Sequence, residues 1–200
     1  MALKTITVFC GSSLGNDPRF EESAKVLGQC LVKNKINLIY GGGMLGLMGT
    51  VAKTVADGGC EVTGFLPEFF VTRNIHCPKD LESIGGKTVL VEDMHTRKRN
   101  MLEQADALIA LPGGYGTFEE LLEMITWYQL GLHNKPIGVL NVANYWGSLL
   151  DWIQNAVKAG FVYDENKDIL VVADDCETLL TKLQERASNK EKTCRILPNI

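Results

Sequence analysis

Residues 111–120 read Leu-Pro-Gly-Gly-Tyr-Gly-Thr-Phe-Glu-Glu, and they join the apolar run 107–111 to the periodic run 118–130. The change from a short continuous apolar run to a repeat of three to four residues predicts a β-strand followed by an α-helix. The glycines 113, 114 and 116 predict a sharp turn with exposed backbone N–H groups, and the following helix directs its positive end to the same point. An anion such as a phosphate is therefore the expected ligand of this turn.

The same stretch also fits a purely structural interpretation. Thr117 and Glu120 have the spacing of a capping box, in which a threonine hydroxyl accepts from the N3 amide and a glutamate accepts from the N-cap amide. On that interpretation Thr117 is the N-cap residue and Glu120 serves the helix instead of a ligand. The residues alone leave both interpretations open.

Outward from this stretch, apolar strands alternate with amphipathic helices along the chain. The predicted strands are 5–10, 36–40, 61–66, 87–91, 107–111, 136–142 and 169–172, and the predicted helices are 17–33, 47–57, 94–104, 118–130, 145–159 and 174–187. This alternation predicts an α/β, Rossmann-like, doubly wound parallel sheet of about seven strands with helices on both faces. We expect one domain over 1–187, a polar tail over 188–200 and a site at the carboxyl ends of the strands. Residues 67–86 are the least regular part, and their structure stays open.

The composition narrows the possible partners and the compartment. A net charge of −4 and a pI near 5.4 argue against a nucleic-acid or anionic-membrane surface, since both partners favour a basic field. The six cysteines are scattered without a C-x-x-C pair, which favours a reducing compartment. No apolar run approaches membrane-spanning length. We therefore expect a soluble cytoplasmic protein.

A second glycine-rich segment, residues 41–46, reads Gly-Gly-Gly-Met-Leu-Gly and formally matches the dinucleotide-binding pattern G-x-G-x-x-G. That pattern belongs on the first strand-to-helix turn, whereas here it lies on the second, and Glu68 fits only loosely the acid expected to bind the ribose. Close packing of a helix against a strand explains the glycines equally well. A third interpretation, intermediate between dinucleotide binding and packing, is that these glycines contact a phosphate or a ribose of the ligand.

A basic cluster, residues 95–99, reads His-Thr-Arg-Lys-Arg and opens the helix that begins at Met94. Cations at the positive end of a helix are unfavourable for purely structural reasons. A solvated face is the simplest explanation, but the amphipathic pattern directs at least one cation, Arg97 in particular, towards the strand ends. We expect it to meet the anion there.

Taken together, the segments 112–120 (P-G-G-x-G-T-x-x-E) and 94–98 (Met-His-Thr-Arg-Lys) resemble the Lonely-Guy family of cytokinin-activating phosphoribohydrolases in both order and spacing. Members of that family were long labelled lysine decarboxylases. The similarity extends from Val8 to about Asp151 and includes the segments 9–13, 40–43, 46–49 and 125–127.

The resemblance implies hydrolysis of the N-glycosidic bond of an N6-modified adenosine 5′-monophosphate, which gives the free base and ribose 5-phosphate, without a metal or organic cofactor. It also implies a homodimer with a shared active site. By position, Arg97 and Glu120 correspond to the catalytic pair. The residues implied to bind substrate are Gly11, Ser12, Gly42, Gly43, Lys98, Gly113, Gly114, Tyr115, Gly116, Thr117, Glu119 and Thr126, with Glu68, Met94 and His95 as further candidates. The stretch 67–86 departs from the short loop of the family, so the acid that touches substrate in relatives is Glu68, Glu82 or neither.

Two other functions have to be weighed against hydrolysis. A PLP-dependent lysine decarboxylase needs a Schiff-base lysine, and the best available one, Lys98, lies among other cations without an evident partner. A non-catalytic carrier of a nucleotide or phosphorylated cofactor could use the same glycine-rich turn. The presence of both Arg97 and Glu120 favours the hydrolase over the carrier.

Overall fold

The computed structural model describes residues 2–73, 75 and 77–189 of the chain. It contains one sheet, with the strands β1 (Thr5–Phe9), β2 (Asn37–Tyr40), β3 (Val62–Pro67), β4 (Lys87–Val91), β5 (Ala107–Ala110), β6 (Ile137–Leu140) and β7 (Leu170–Ala173). The helices are α1 (Pro18–Lys33), α2 (Gly46–Asp57), α3 (Glu68–Thr72), α4 (Pro78–Glu82), α5 (Met94–Glu103), α6 (Tyr115–Gln129), α7 (Gly147–Lys158) and α8 (Cys176–Ser188).

All strand pairs of the sheet are parallel, and their order is β4-β3-β2-β1-β5-β6-β7. In the middle of the sheet, Val8 of β1 lies between Tyr40 of β2 and Ile109 of β5. The direction of winding reverses between β1 and β5, so the loops that follow these two strands diverge and leave a crevice at the carboxyl edge. The predicted doubly wound parallel fold is confirmed.

The sheet is covered on both faces because its strands are apolar on both faces. One core packs α1, α2 and α8 against the sheet and includes Leu31, Val51 and Leu183. The other core packs α5, α6 and α7 against the opposite face and includes Met101 and Met124. These layers hold the strand ends, and the loops on them, in fixed positions.

Aspartate caps fix the starts of three helices. Asp17 accepts a hydrogen bond from the Arg19 N–H at 2.9 Å and is followed by Pro18 at the first helical position, as the sequence predicts. Asp93 accepts from the Thr96 N–H at 2.7 Å and thereby starts α5 directly before the basic cluster. Asp175 caps α8 in the same way.

The structure also fills in and corrects parts of the sequence prediction. The segment 67–86 carries two short helices, α3 and α4, and Leu81 of α4 is fully buried. Helix α6 begins at Tyr115, three residues before the predicted start at Phe118. Residues 190–200 of the predicted polar tail lie outside the described residues. Within the described part of the chain, no helix combines the length and the apolar character needed to cross a membrane.

Candidate active site

The loops after β1 and β5 line a cavity of about 310 Å³ at the carboxyl edge of the sheet, where the winding reverses. Residues 11–16 form one wall and residues 112–114 the other, with Phe20, Leu47 and Tyr145 closing the sides. The Gly11 N–H donates to the Pro112 carbonyl at 3.0 Å and joins the two loops. The crevice expected from the topology is therefore a real cavity with glycine-rich walls.

The start of α6 borders this cavity, and its geometry rules out the capping box. The N-cap residue is Gly114, which makes no side-chain capping bond, and the Phe118 N–H donates to the Gly114 carbonyl at 3.1 Å. Thr117 therefore lies inside the first turn, buried against Gly113, and the Glu120 carboxylate points to Arg97 instead of the helix terminus. With no side chain on the N-cap, the first N–H groups of α6 are left for an anion.

Arg97 and Glu120 form a buried ion pair. The Arg97 Nη1 donates to the Glu120 Oε1, and the two side chains are only 8% and 9% exposed. Arg97 also donates through Nε to the Phe65 carbonyl of β3 at 3.1 Å, which holds the guanidinium at the strand ends. The cation that the sequence directs towards the strand ends is thus Arg97, and its partner is the glutamate of the glycine-rich stretch.

Gly41 makes room for this arrangement at the end of β2. A Cβ built on Gly41 would lie 2.2 Å from the Arg97 Nη2 and 3.3 Å from the Met48 Sδ. Any side chain at position 41 would therefore displace the guanidinium. In the second glycine-rich segment, Gly41 thus allows the guanidinium of Arg97 to lie close to the backbone.

The environment of Glu120 shifts its protonation. Burial raises the pKa of the Glu120 carboxyl above its ordinary value, and the Arg97 guanidinium opposes that shift. Burial raises the pKa of the neighbouring Cys10 thiol as well, and the Glu120 charge adds to the effect. A buried carboxyl held beside a fixed cation suits chemistry in which positive charge develops nearby.

Lys98 is held by two carboxylates of α6. Its Nζ contacts the Glu119 Oε1 and lies 2.7 Å from the Glu123 Oε2, while the lysine side chain is 3% exposed. Burial by itself would lower the pKa of Lys98, but the interactions of its ammonium group with the Glu119 and Glu123 carboxylates outweigh burial and raise it. Lys98 therefore joins α5 to α6 as a permanent cation. Glu123 is absent from the sequence prediction, although its spacing of four residues from Glu119 on a helix indicates that both reach one partner.

The remaining predicted site residues lie at different depths. Ser12 and Tyr115 are exposed at the carboxyl edge, with Tyr115 almost fully exposed at 99%, and Gly42 and Gly43 are buried. Thr126 is exposed two turns beyond Glu119, and its hydroxyl donates to the Leu122 carbonyl, so within one chain it stands apart from the Arg97–Glu120 pair.

The three further candidates are all near the carboxyl edge. Glu68 is exposed at the start of α3, directly after β3. Met94 is half-buried and His95 exposed in the first turn of α5. None of the three has a contact with Arg97 or Glu120 among the described interactions.

The dinucleotide pattern of residues 41–46 is explained by packing. Gly46 has a φ of +59°, and a Cβ there would lie 2.4 Å from the Ser12 backbone, so this glycine lets the loop after β2 contact the loop after β1. The segment follows β2 and not β1, and it therefore lies away from the reversal point where a dinucleotide would bind. Within the described residues, no group of three or more His, Cys, Asp or Glu side chains is arranged to hold a metal ion.

A doubly wound sheet with glycine-rich loops and a buried arginine–glutamate pair beside its reversal point defines a Rossmann-like protein with a site of enzymatic character. Comparison with known proteins then gives the family. The family model described as "Possible lysine decarboxylase" matches residues 48–183. The chain is 50% identical over 182 residues to the cytokinin riboside 5′-monophosphate phosphoribohydrolase LOG7 of Arabidopsis thaliana, a match that covers 91% of this chain and 82% of that protein. The chain belongs to this Lonely-Guy family of phosphoribohydrolases.

A second relative agrees with this assignment, and solved structures share the fold. A probable cytokinin riboside 5′-monophosphate phosphoribohydrolase of Oryza sativa subsp. japonica is 48% identical over 190 residues, which cover 93% of this chain and 79% of that protein. The molybdenum cofactor carrier protein of Chlamydomonas reinhardtii superposes with a TM-score of 0.66 at 17% identity, covering 93% of this chain and 99% of that chain. The molybdenum cofactor binding protein of Rippkaea orientalis gives 0.66 at 18% identity over 92% and 98% of the chains. At such identities these structures show the shared fold alone.

Proposed function

We propose that this protein hydrolyses the N-glycosidic bond of an N6-modified adenosine 5′-monophosphate and releases the free base, a cytokinin, and ribose 5-phosphate. The observation that carries the proposal is the buried ion pair of Arg97 with Glu120 of α6, the helix whose N-cap Gly114 lines the glycine-rich cavity. Membership of a phosphoribohydrolase family supports it. Arg97 and Glu120 are proposed as the catalytic residues.

The 5′-phosphate is assigned to the loop at residues 113–117. The N-cap at Gly114 leaves unsatisfied N–H groups and the positive end of the α6 dipole facing the carboxyl edge. Binding energy from the phosphate would orient the ribose and hold C1′ close to Glu120, because the reacting bond itself offers no group that the protein can bind. Tyr115 and Glu119 flank the same turn and complete the proposed substrate contacts.

The reaction breaks the bond between C1′ and the purine nitrogen. The bonding electrons leave with the base, the sugar acquires positive charge, and water then adds hydroxide to C1′ and a proton to the base. A carboxylate beside C1′ stabilises the cationic sugar or orients the water, and Glu120 is the buried carboxylate available for either role. Arg97 opposes protonation of Glu120 and offers a cation for the departing base.

A decarboxylase that uses a Schiff-base lysine is the weaker candidate. Such a lysine must lose its proton to attack an aldehyde. The raised pKa of Lys98, with its Nζ held by Glu119 and Glu123, keeps the amine protonated. The lysine that the sequence offers for this chemistry is thus engaged in an ion-pair network.

The carrier alternative has one specific observation in its favour, the shared fold with molybdenum cofactor carrier proteins. A carrier needs the glycine loops but has no use for a carboxylate buried at an energetic cost beside Arg97. Turnover separates the two functions.

The test is to incubate purified protein with AMP, N6-isopentenyl-AMP and N6-isopentenyl-adenosine and to quantify free base and ribose 5-phosphate by chromatography. Release from the monophosphates, and little from the nucleoside, is the expected result. If none of the monophosphates releases base while one of them binds, the carrier function is the better description.

We also propose that the protein acts as a homodimer in the cytoplasm. Arg99 of α5 and Thr126 of α6 are exposed, and Leu130 and Leu132 directly after α6 are 43% and 67% exposed, so this face is suited to contact a second copy. The free thiols of Cys10, Cys30, Cys60, Cys77 and Cys176 are in keeping with a reducing compartment. Light scattering of the purified protein gives the mass, and a monomer at micromolar concentration would contradict the dimer.

A further inference from the structure

Tyr145 is not part of the glycine-rich stretch, yet its side chain reaches that stretch. Its hydroxyl donates to the carbonyl of Gly113, and its ring lines the cavity between the loops after β1 and β5. The ring packs edge-on against Phe20 of α1 at 5.6 Å between centroids and against Trp146 at 5.3 Å. Phe118 of α6 is a third aromatic neighbour at 6.4 Å. Tyr145 is thus fixed by two helices while its hydroxyl holds the glycine loop.

The backbone that carries Tyr145 is strained and tied down. Ala143 and Asn144, between β6 and Tyr145, have φ values of +53° and +57°, which lie in the left-handed region of backbone conformation that residues other than glycine rarely adopt. The Asn141 side chain stabilises this turn, since its Oδ1 accepts from the Trp146 N–H at 2.9 Å and its Nδ2 donates to the Asn144 Oδ1 at 3.3 Å. Strain of this kind persists where the surroundings over-determine the conformation, and it concentrates at functional sites.

The hydrogen bond from Tyr145 fixes the orientation of the peptide between Gly113 and Gly114. Gly113 and Gly114 are consecutive glycines, so the peptide between them has little steric resistance to rotation. A trans peptide points its carbonyl and its N–H in opposite directions. If this peptide turned over, a partially negative carbonyl oxygen would face a bound phosphate where an N–H donor is needed.

We infer that Tyr145 is a positioning residue for the phosphate site: its hydroxyl holds the Gly113 carbonyl and so keeps the Gly114 N–H oriented for the 5′-phosphate. The inference rests on the proposed function for the identity of the anion. Tyr145 acts through Gly113 and touches neither the base nor C1′. Its loss therefore weakens phosphate binding and leaves the bond-breaking step intact.

The test is Tyr145→Phe, which removes the hydroxyl and keeps the ring with its three aromatic contacts. KM for N6-isopentenyl-AMP and the competitive inhibition constant of ribose 5-phosphate are both expected to rise about tenfold, equivalent to roughly 1.4 kcal/mol, with kcat within about twofold. Inhibition by free adenine, which lacks the phosphate, should be unchanged. The matched control is Tyr163→Phe, which removes the hydroxyl of a tyrosine that lies beyond α7 and is 43% exposed. All constants should stay at wild-type values in that control.

Two results would overturn the inference: unchanged KM and ribose 5-phosphate inhibition, or a fall in kcat at constant KM, which indicates a merely structural role. Wild-type protein that fails to release base would contradict the proposed function separately. Calorimetric binding of ribose 5-phosphate to the wild type and to Tyr145→Phe then decides the matter. Equal affinities, or no binding to the wild type, would refute the role of Tyr145.

Discussion

Gly41→Ala is the most direct test of the position of Arg97, because Gly41 lies outside the glycine-rich stretch 111–120 and carries no reactive group. The added methyl carbon would lie 2.2 Å from the Arg97 Nη2, whereas ordinary contact begins at 3.4 Å. The guanidinium must therefore retreat by about 1 Å, and it is held by the Phe65 carbonyl and by Glu120, so one of those bonds lengthens or breaks. A misplacement of about 1 Å in a catalytic site costs on the order of 10²-fold in rate.

The assay is kcat for N6-isopentenyl-AMP, together with the free energy of unfolding from urea denaturation. We expect kcat to fall by about 10²-fold and the protein to remain folded at the assay temperature. The control is Gly160→Ala at the end of α7, where the glycine has a φ of +79° and a Cβ would meet nothing within 4 Å. That substitution costs about 1 kcal/mol of backbone strain and should leave kcat unchanged. Full activity of Gly41→Ala would refute the argument that the placement of Arg97 limits catalysis.

Four further predictions concern the charged groups. Glu120→Gln should lower kcat by at least about 10²-fold while the variant still unfolds cooperatively in urea; wild-type turnover would contradict the catalytic role of Glu120. Because burial raises the pKa of Glu120, kcat/KM should fall with decreasing pH through a value above about 4.3, the ordinary pKa of a glutamic acid. The raised pKa of Glu120 should stabilise the folded protein fully at pH values below the unfolded-state pKa, and this stabilisation should be lost as pH rises through the folded-state pKa. Glu120→Gln should abolish this pH dependence of the free energy of unfolding. Identical stability–pH curves for the wild type and the variant would contradict this prediction. Lys98→Met leaves Glu119 and Glu123 without their cation and should lower the free energy of unfolding by about 1–3 kcal/mol. Lys167→Met, which removes an exposed ion pair, should have no measurable effect on the free energy of unfolding. Equal effects of the two substitutions would show that burial of Lys98 is irrelevant.

Local sequence determined most of the fold. The apolar strands and the Asp-capped helices are specified within short windows, because hydrophobic periodicity and capping act between residues close along the chain. Once the strands are parallel, the glycine-rich loops must share the carboxyl edge, so the general position of the site also follows from the sequence. The motif resemblance by itself indicates Arg97 and Glu120 as a pair.

The start of α6 shows where local reasoning fails. Thr117 and Glu120 satisfy the spacing of a capping box, but the helix begins at Tyr115 and Glu120 turns to Arg97. The buried guanidinium comes from a different strand–helix unit, and its attraction for the carboxylate exceeds that of a single backbone N–H. Only the packing of α5 beside α6 decides between the two partners.

The remaining contacts of the site have no signal in the sequence because their partners are distant along the chain. The Gly41 contact with Arg97 and the Tyr145 bond to Gly113 each join segments from separate strand ends. Sequence by itself therefore determined which residue types are present at the edge of the sheet and the order of the elements that carry them. Tertiary structure decided which side chains meet there, because hydrogen bonds and ion pairs need donor–acceptor distances set to within a few tenths of an ångström, and only the packed layers fix them.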